Sequence, residues 1–140
     1  MTKEFIPYQQ ALDLKELGFD ERCVAYYTAD TKQLTLVQGY SNLMFADYVH
    51  LANTVKSVPC PLYQQAFRWL LDKHYLYGIV IPTVTMDWTF KTMTAVYGMV
   101  EVPPYNHVDA YDYSSKEEAE LACLIKLIEI VKDGKSKSNS

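Results

Sequence analysis

A chain that carries a long helix, apolar over most of its circumference, has to build a partner surface for it. Residues 115–132, SKEEAELACLIKLIEIVK, impose that constraint here. Projected at 100° per residue, Leu121, Leu124, Ile125, Ile128 and Val131 share one face. Ala119, Cys123, Leu127 and Ile130 widen it, and Ala122, Lys126, Glu129 and Asp133 are left as a narrow polar stripe. Such a helix has to be covered on more than one side. Ser115 and Glu118 have capping-box spacing at its start. Glu117, Glu118 and Glu120 sit near the positive end of the dipole, and Lys132 and Lys135 near the negative end. Gly134 is placed to end the helix, and residues 135–140 read as a disordered polar tail.

The 140 residues fit one domain, expected over residues 1–134, long enough to bury a core without a covalent staple. The twelve tyrosines suit half-buried sheet faces and partner surfaces equally. A net charge of −4 with no basic stripe argues against nucleic acid. No apolar run is long enough to span a bilayer, so no membrane partner is expected. The start, MTKEFIPYQQ, lacks a charged-then-apolar signal design. Cys23, Cys60 and Cys123 are odd in number and match no zinc spacing. Cys123 falls on the apolar arc as a small buried hydrophobe. These features predict a cytoplasmic protein with reduced thiols.

Taken in order, Pro7 to Leu17 reads as a first helix, ended by Gly18 with Phe19 folding back. Cys23–Thr28 and Gln33–Gly39 read as a hairpin around Ala29-Asp30-Thr31-Lys32. Tyr40 to Val58 reads mostly as loop, although Met44, Tyr48, Leu51 and Val55 have roughly helical spacing. An apolar loop of this length suits a lid or a partner-facing surface, or a cover for the domain's own core. Pro59-Cys60-Pro61 stops it, and a second helix runs from Pro61 to His74 with Leu62, Ala66, Phe67, Trp69 and Leu70 inward. Leu76–Thr85 reads as a strand, with Pro82 at an edge, a bulge or a strand end. Met86, Trp88 and Phe90 alternate with polar residues, and that apolar side is expected against the last helix. Val96–Val102 supplies a further strand, and Tyr105–Ser114 has room for a short edge strand. The predicted fold is α+β: an antiparallel sheet of about four to five strands packed against two long helices, with an additional N-terminal helix. Tyr8-Gln9-Gln10-Ala11 recurs as Tyr63-Gln64-Gln65-Ala66, which raises a duplicated helix–strand–strand unit; unlike strand orders after the two helices would end that idea.

Asn106, His107, Asp109 and Asp112 form the best cluster of polar functional types, and Tyr48 and Tyr105 join them as candidate binding residues. Their spacing matches no recognised motif. His50 and His74 are isolated, and the five glycines form no phosphate loop. No catalytic residue, metal ligand or cofactor is assigned on this basis. Trp88 and Tyr97 could stack bases on a sheet, but the acidic balance favours core packing.

Three blocks, KEFIPYQQALDLKELGFDE, QQAFRWLLDKH with YLYGIVIP, and YDYSSKEEAELACLIKLIEIVK, resemble a family of small uncharacterised proteins of gut Bacteroidetes and their phages and mobile elements. The family carries no assigned activity. The resemblance implies a phage or mobile-element accessory protein acting in the host cell cytoplasm. Two function classes follow. One is a non-enzymatic protein-binding accessory protein, acting on a host or phage protein or as a homo-oligomer; the missing catalytic signature favours it. The other is a small-molecule or nucleotide-binding protein, or a small enzyme, with a pocket near Asn106–Asp112.

Overall fold

A computed structural model describes residues 2–28, 30–36, 57–94, 100–101 and 113–138. The class is α+β, with three α-helices and antiparallel strands among the described residues. The chain divides into two compact units, Met1–Gln64 and Gln65–Ser140.

In the first unit, helix α1 spans Tyr8–Glu16. Pro7 takes the capping position with extended backbone (φ −66°, ψ 162°), one residue outside the first turn expected for it. Ala11 and Leu14 form the buried edge. Gly18 ends α1 at φ 104°. Its amide donates to the Lys15 carbonyl (3.1 Å) and the Phe19 amide to the Leu14 carbonyl (2.9 Å), the paired bonds of a Schellman stop. Phe19 and Leu14 are both buried. A Cβ on Gly18 would meet nothing within 4 Å, so a substitution there tests backbone strain alone. Gly18→Ala is expected to cost about 1 kcal/mol, and Gly18→Asn less. Urea midpoints at constant slope measure it; equal midpoints for wild type and Gly18→Ala would remove the strain argument.

Strand β1, Ala25–Thr28, lies between β2, Leu34–Leu36, and β3, Ser57–Pro59, in an antiparallel sheet. Strand β1 begins at Ala25 and β2 at Leu34, inside the hairpin arms expected from sequence, and residues 37–39 of the second arm lie outside the described residues. Ser57 and Val58, read as the end of a loop, belong to β3, which is buried throughout and packs on α1. Three residues are too few to show a period. The Tyr27 hydroxyl donates to the Ile6 carbonyl at 2.7 Å, tying β1 to the N-terminal segment. Its ring meets Tyr8 edge-on at 5.5 Å, and Lys32 Nζ lies 5.2 Å over the Tyr8 ring.

Helix α2, Tyr63–His74, leads into the second unit. Ala66, Trp69 and Leu70 are buried and Arg68 and Asp72 exposed, as the apolar spacing predicted. Strands β4 (Leu76–Pro82), β5 (Trp88–Thr94) and β6 (Val100–Glu101) form a second antiparallel sheet in the order β4-β5-β6. Trp88 and Tyr113 exchange both backbone bonds (2.8 and 2.6 Å), so Tyr113 supplies the short edge pairing expected before the last helix. Trp88 spends its amide and carbonyl on Tyr113, and its other neighbour, Pro82, needs no amide. That is how a proline fits the end of β4.

Among the described residues the strands divide between two three-stranded sheets, where one sheet of about four to five strands was expected. A strand has two edges, and both edges of β1 and of β5 are filled from within their own unit. The strand orders also answer the duplication idea. The first strand after α1 is central, whereas the first strand after α2 is at an edge. The shared Tyr-Gln-Gln-Ala opens both helices and buries its alanine each time, so it is a common way to start a helix.

Helix α3 spans Lys116–Ser138 and packs on β4 and β5. The Ser115 hydroxyl accepts the Glu118 amide (3.2 Å), half of the expected box; the Glu118 carboxylate instead accepts the Ser114 hydroxyl (3.1 Å). Burial pushes the Glu120 carboxyl above its ordinary range; Lys116 opposes the shift and Glu117 adds to it. The buried stripe comprises Ala119, Cys123, Leu124, Leu127, Ile128 and Val131. Ile125, expected on that face, is 37% exposed. The sheet comes closest to this stripe at Cys123 and Leu127. A Cβ built on Gly78 of β4 would lie 2.5 Å from Cys123 Sγ and 2.9 Å from Leu127 Cδ1. Strand pairing puts Trp88 and Phe90 on the same face as Gly78, so the apolar side of β5 does lie towards α3. The predicted stop at Gly134 is not used. Helix continues to Ser138, so the tail expected to be disordered from residue 135 is helical over its first four residues. A glycine needs no partner to stay helical, and serines and lysines can extend a ladder already seeded by a buried stretch.

Candidate interaction surface

Among the described residues, three non-glycine positions hold a left-handed backbone: Lys32 (φ 57°), Tyr75 (φ 58°) and Met86 (φ 70°). Each costs about 1–2 kcal/mol relative to ordinary backbone. Tyr75 ends α2, its amide donating to the Leu71 carbonyl at 3.0 Å, and its ring is mostly exposed. Met86 stands at the opposite end of β4.

The connection from β4 to β5 is built by Thr83. Its amide donates to the Asp87 carbonyl (2.8 Å), and its carbonyl accepts the Met86 amide (3.1 Å). Its hydroxyl accepts the Asp87 amide (3.1 Å) and pairs with the Thr85 hydroxyl (3.0 Å). The result is a three-residue loop, Val84-Thr85-Met86, closed by a left-handed residue where glycine is usual. Thr28 does the same for β1 and β2. Its amide donates to the Gln33 carbonyl, its hydroxyl accepts the Gln33 amide (3.3 Å) and meets the Thr31 hydroxyl, and Lys32 is the left-handed residue.

The two tips differ in what they present. The first shows Asp30, Thr31 and Lys32 to water. The second shows Val84, fully exposed, and Met86, 88% exposed. Two apolar side chains thus stand in water on a loop fixed by four hydrogen bonds. Met86 was expected inside the strand with Trp88 and Phe90, and the preceding strand was expected to reach Thr85. The structure places both residues in the turn. The alternation of Met86, Trp88 and Phe90 continued one residue pair too far, because nothing in PTVTMD supplies the usual glycine or asparagine signal.

The first unit also contains a buried polar knot. The Cys60 thiol donates to the Ile6 carbonyl (3.3 Å), the same oxygen that accepts from Tyr27. Burial, with a smaller push from the neighbouring Cys60, raises Tyr27 well above the ordinary phenol range. Burial raises Cys60 to about 12, partly offset by the Tyr27 bond. Cys23 is pushed up by burial first, then by Cys60 and Glu21. In the second unit Cys123 rises to about 12, mainly by burial. A protonated, enclosed thiol is a poor nucleophile. All three cysteines are free and buried, Cys123 in the place read for it from sequence.

Tyr48, Tyr105, Asn106, His107, Asp109 and Asp112 lie outside the described residues. So does most of the proposed 40–58 cover, and so does most of the Val96–Val102 strand, of which 100–101 form β6. Among the described residues no group of three or more His, Cys, Asp or Glu side chains is placed to hold a metal ion. No described helix is long and apolar enough to cross a membrane. The chain matches no family model, no curated protein and no solved structure.

Proposed function

We propose that this chain is a non-enzymatic, protein-binding accessory protein that inserts its Val84–Met86 tip into an apolar recess of a partner protein. The observation that carries this reading is Met86. A left-handed loop position that glycine would fill at lower cost holds a long apolar side chain in water. Lys32 and Tyr75 are also left-handed and exposed, and what sets Met86 apart is an apolar side chain standing beside the fully exposed Val84 on one fixed tip. The flexible thioether also suits an irregular recess. The resemblance to proteins of phages and mobile elements supports a host or phage protein as the partner, met in the cytoplasm.

Met86→Gly separates binding from folding. It is expected to raise unfolding free energy by about 1 kcal/mol while abolishing capture of the partner from host lysate. Val84→Ser should weaken capture with stability nearly unchanged. Equal recovery of the same protein by wild type and Met86→Gly would end this reading. Thermal shifts with nucleotides and divalent metals put the competing pocket near Asn106–Asp112 to the same preparation.

A further inference from the structure

Thiols ordinarily outrun thioethers in reaction with peroxide, because a fraction of any exposed thiol is thiolate. This chain inverts the access on which that order depends. Cys23, Cys60 and Cys123 are 0–1% exposed. Met93, in β5, is half-buried. Met86 is 88% exposed, and the bonds to Thr83 hold its backbone at the apex of the loop. A thioether needs no deprotonation to react, so its rate follows access to the sulfur. We propose that Met86 is the first site of peroxide oxidation among the described sulfur atoms, ahead of Met93 and all three cysteines. The Met86 sulfur donates an electron pair to one peroxide oxygen, the O–O bond breaks, and the sulfoxide forms. The departing hydroxide takes the remaining proton and leaves as water, so sulfur is oxidised by two electrons and hydrogen peroxide is reduced.

The raised thiol pKa values reinforce this order, since the small thiolate fraction is smaller still in the folded chain. The product is polar where the tip was apolar. Resting on the binding reading above, the modified tip leaves its apolar recess, and a methionine sulfoxide reductase restores it.

The test is a hydrogen peroxide titration of the native full chain. It is quenched, the thiols are alkylated under denaturing conditions, and each sulfur is read by peptide mass mapping. One added oxygen is expected at Met86 at doses that leave Met93 and the three cysteines unmodified. Met86→Leu should remove that early product without exposing any thiol. Oxidation of Met93 or of any cysteine at or before Met86 overturns the proposal. The partner arm is read separately. If Met86 reacts first but the unoxidised chain captures no partner, the modification site stands and the binding reading falls. If the partner stays bound to the sulfoxide form, the regulatory consequence falls.

Discussion

Gly78→Ala is expected to destabilise the second unit by about 2 kcal/mol. Two effects compete. Replacing glycine by alanine restricts the unfolded chain and on its own stabilises by about 0.4–1 kcal/mol. Against that, the new methyl would sit 2.5 Å from Cys123 Sγ and 2.9 Å from Leu127 Cδ1. Both side chains are fully buried, so neither swings into open space, and overpacking a filled interior costs roughly 1–3 kcal/mol. Gly78→Val should cost more. The decisive measurement is a double-mutant cycle. Cys123→Ala removes the nearer obstacle, and the pair Gly78→Ala/Cys123→Ala should be less destabilised than the two single changes summed, by roughly 1 kcal/mol or more. Additive losses would mean that α3 does not lie against Gly78.

Raising the pH should unfold the protein through its buried thiols. Below pH 9 a thiol is protonated in the folded and unfolded chain alike, and its contribution is level. Above the ordinary value of 9.0, the unfolded chain releases a proton that folded Cys60 and Cys123 keep until about 12. The unfolded state then binds fewer protons, so stability falls as pH rises through that window. Each thiol costs at most about 1.4 kcal/mol per pH unit, or roughly 2 kcal/mol between pH 9 and 11. Cys23 shifts in the same direction, and Tyr27 adds to the loss above its ordinary 10.0. Domains of this kind hold only about 5–15 kcal/mol, so the loss is a large share. Urea midpoints at pH 8, 9, 10 and 11 should fall with increasing steepness. Cys60→Ala and Cys123→Ala, each destabilised at pH 8, should show a flatter fall. Parallel curves for wild type and both variants would show that the thiols are not the source.

What could be read from the sequence follows element length and the presence of punctuating residues. Helix α3 was legible because a period of 3.6 repeats across more than four turns. The stop of α1 was legible because Gly18 stands where a left-handed residue is needed. The end of β4 was missed, because Pro82 is compatible with an edge or a bulge as well as a strand end, and the strand was carried on to Thr85. The same logic hid the functional candidate. At Lys32, Tyr75 and Met86 the left-handed backbone is held by neighbouring hydrogen bonds, without the glycine that would announce it. Thr83 and Thr28 do the closing, and a lone threonine before a turn is too common to signal one. Strand β3 was too short for a pattern. The partition into two sheets was not legible, because alternation says which face a residue takes and nothing about which strand lies beside it. Gly134 gave a false stop, since glycine permits a helix to end without requiring it. The candidate cluster Asn106, His107, Asp109 and Asp112 rested on residue type alone.

The enclosure of every cysteine makes the chain its own opening reporter. A maleimide pulse on the native protein can tag a sulfur only during a transient excursion that admits reagent. Cys23 and Cys60 report such excursions for the first unit and Cys123 for the second. Tagging rates that coincide across all three positions would mark one cooperative event, and rates that diverge would mark two halves breathing on separate clocks.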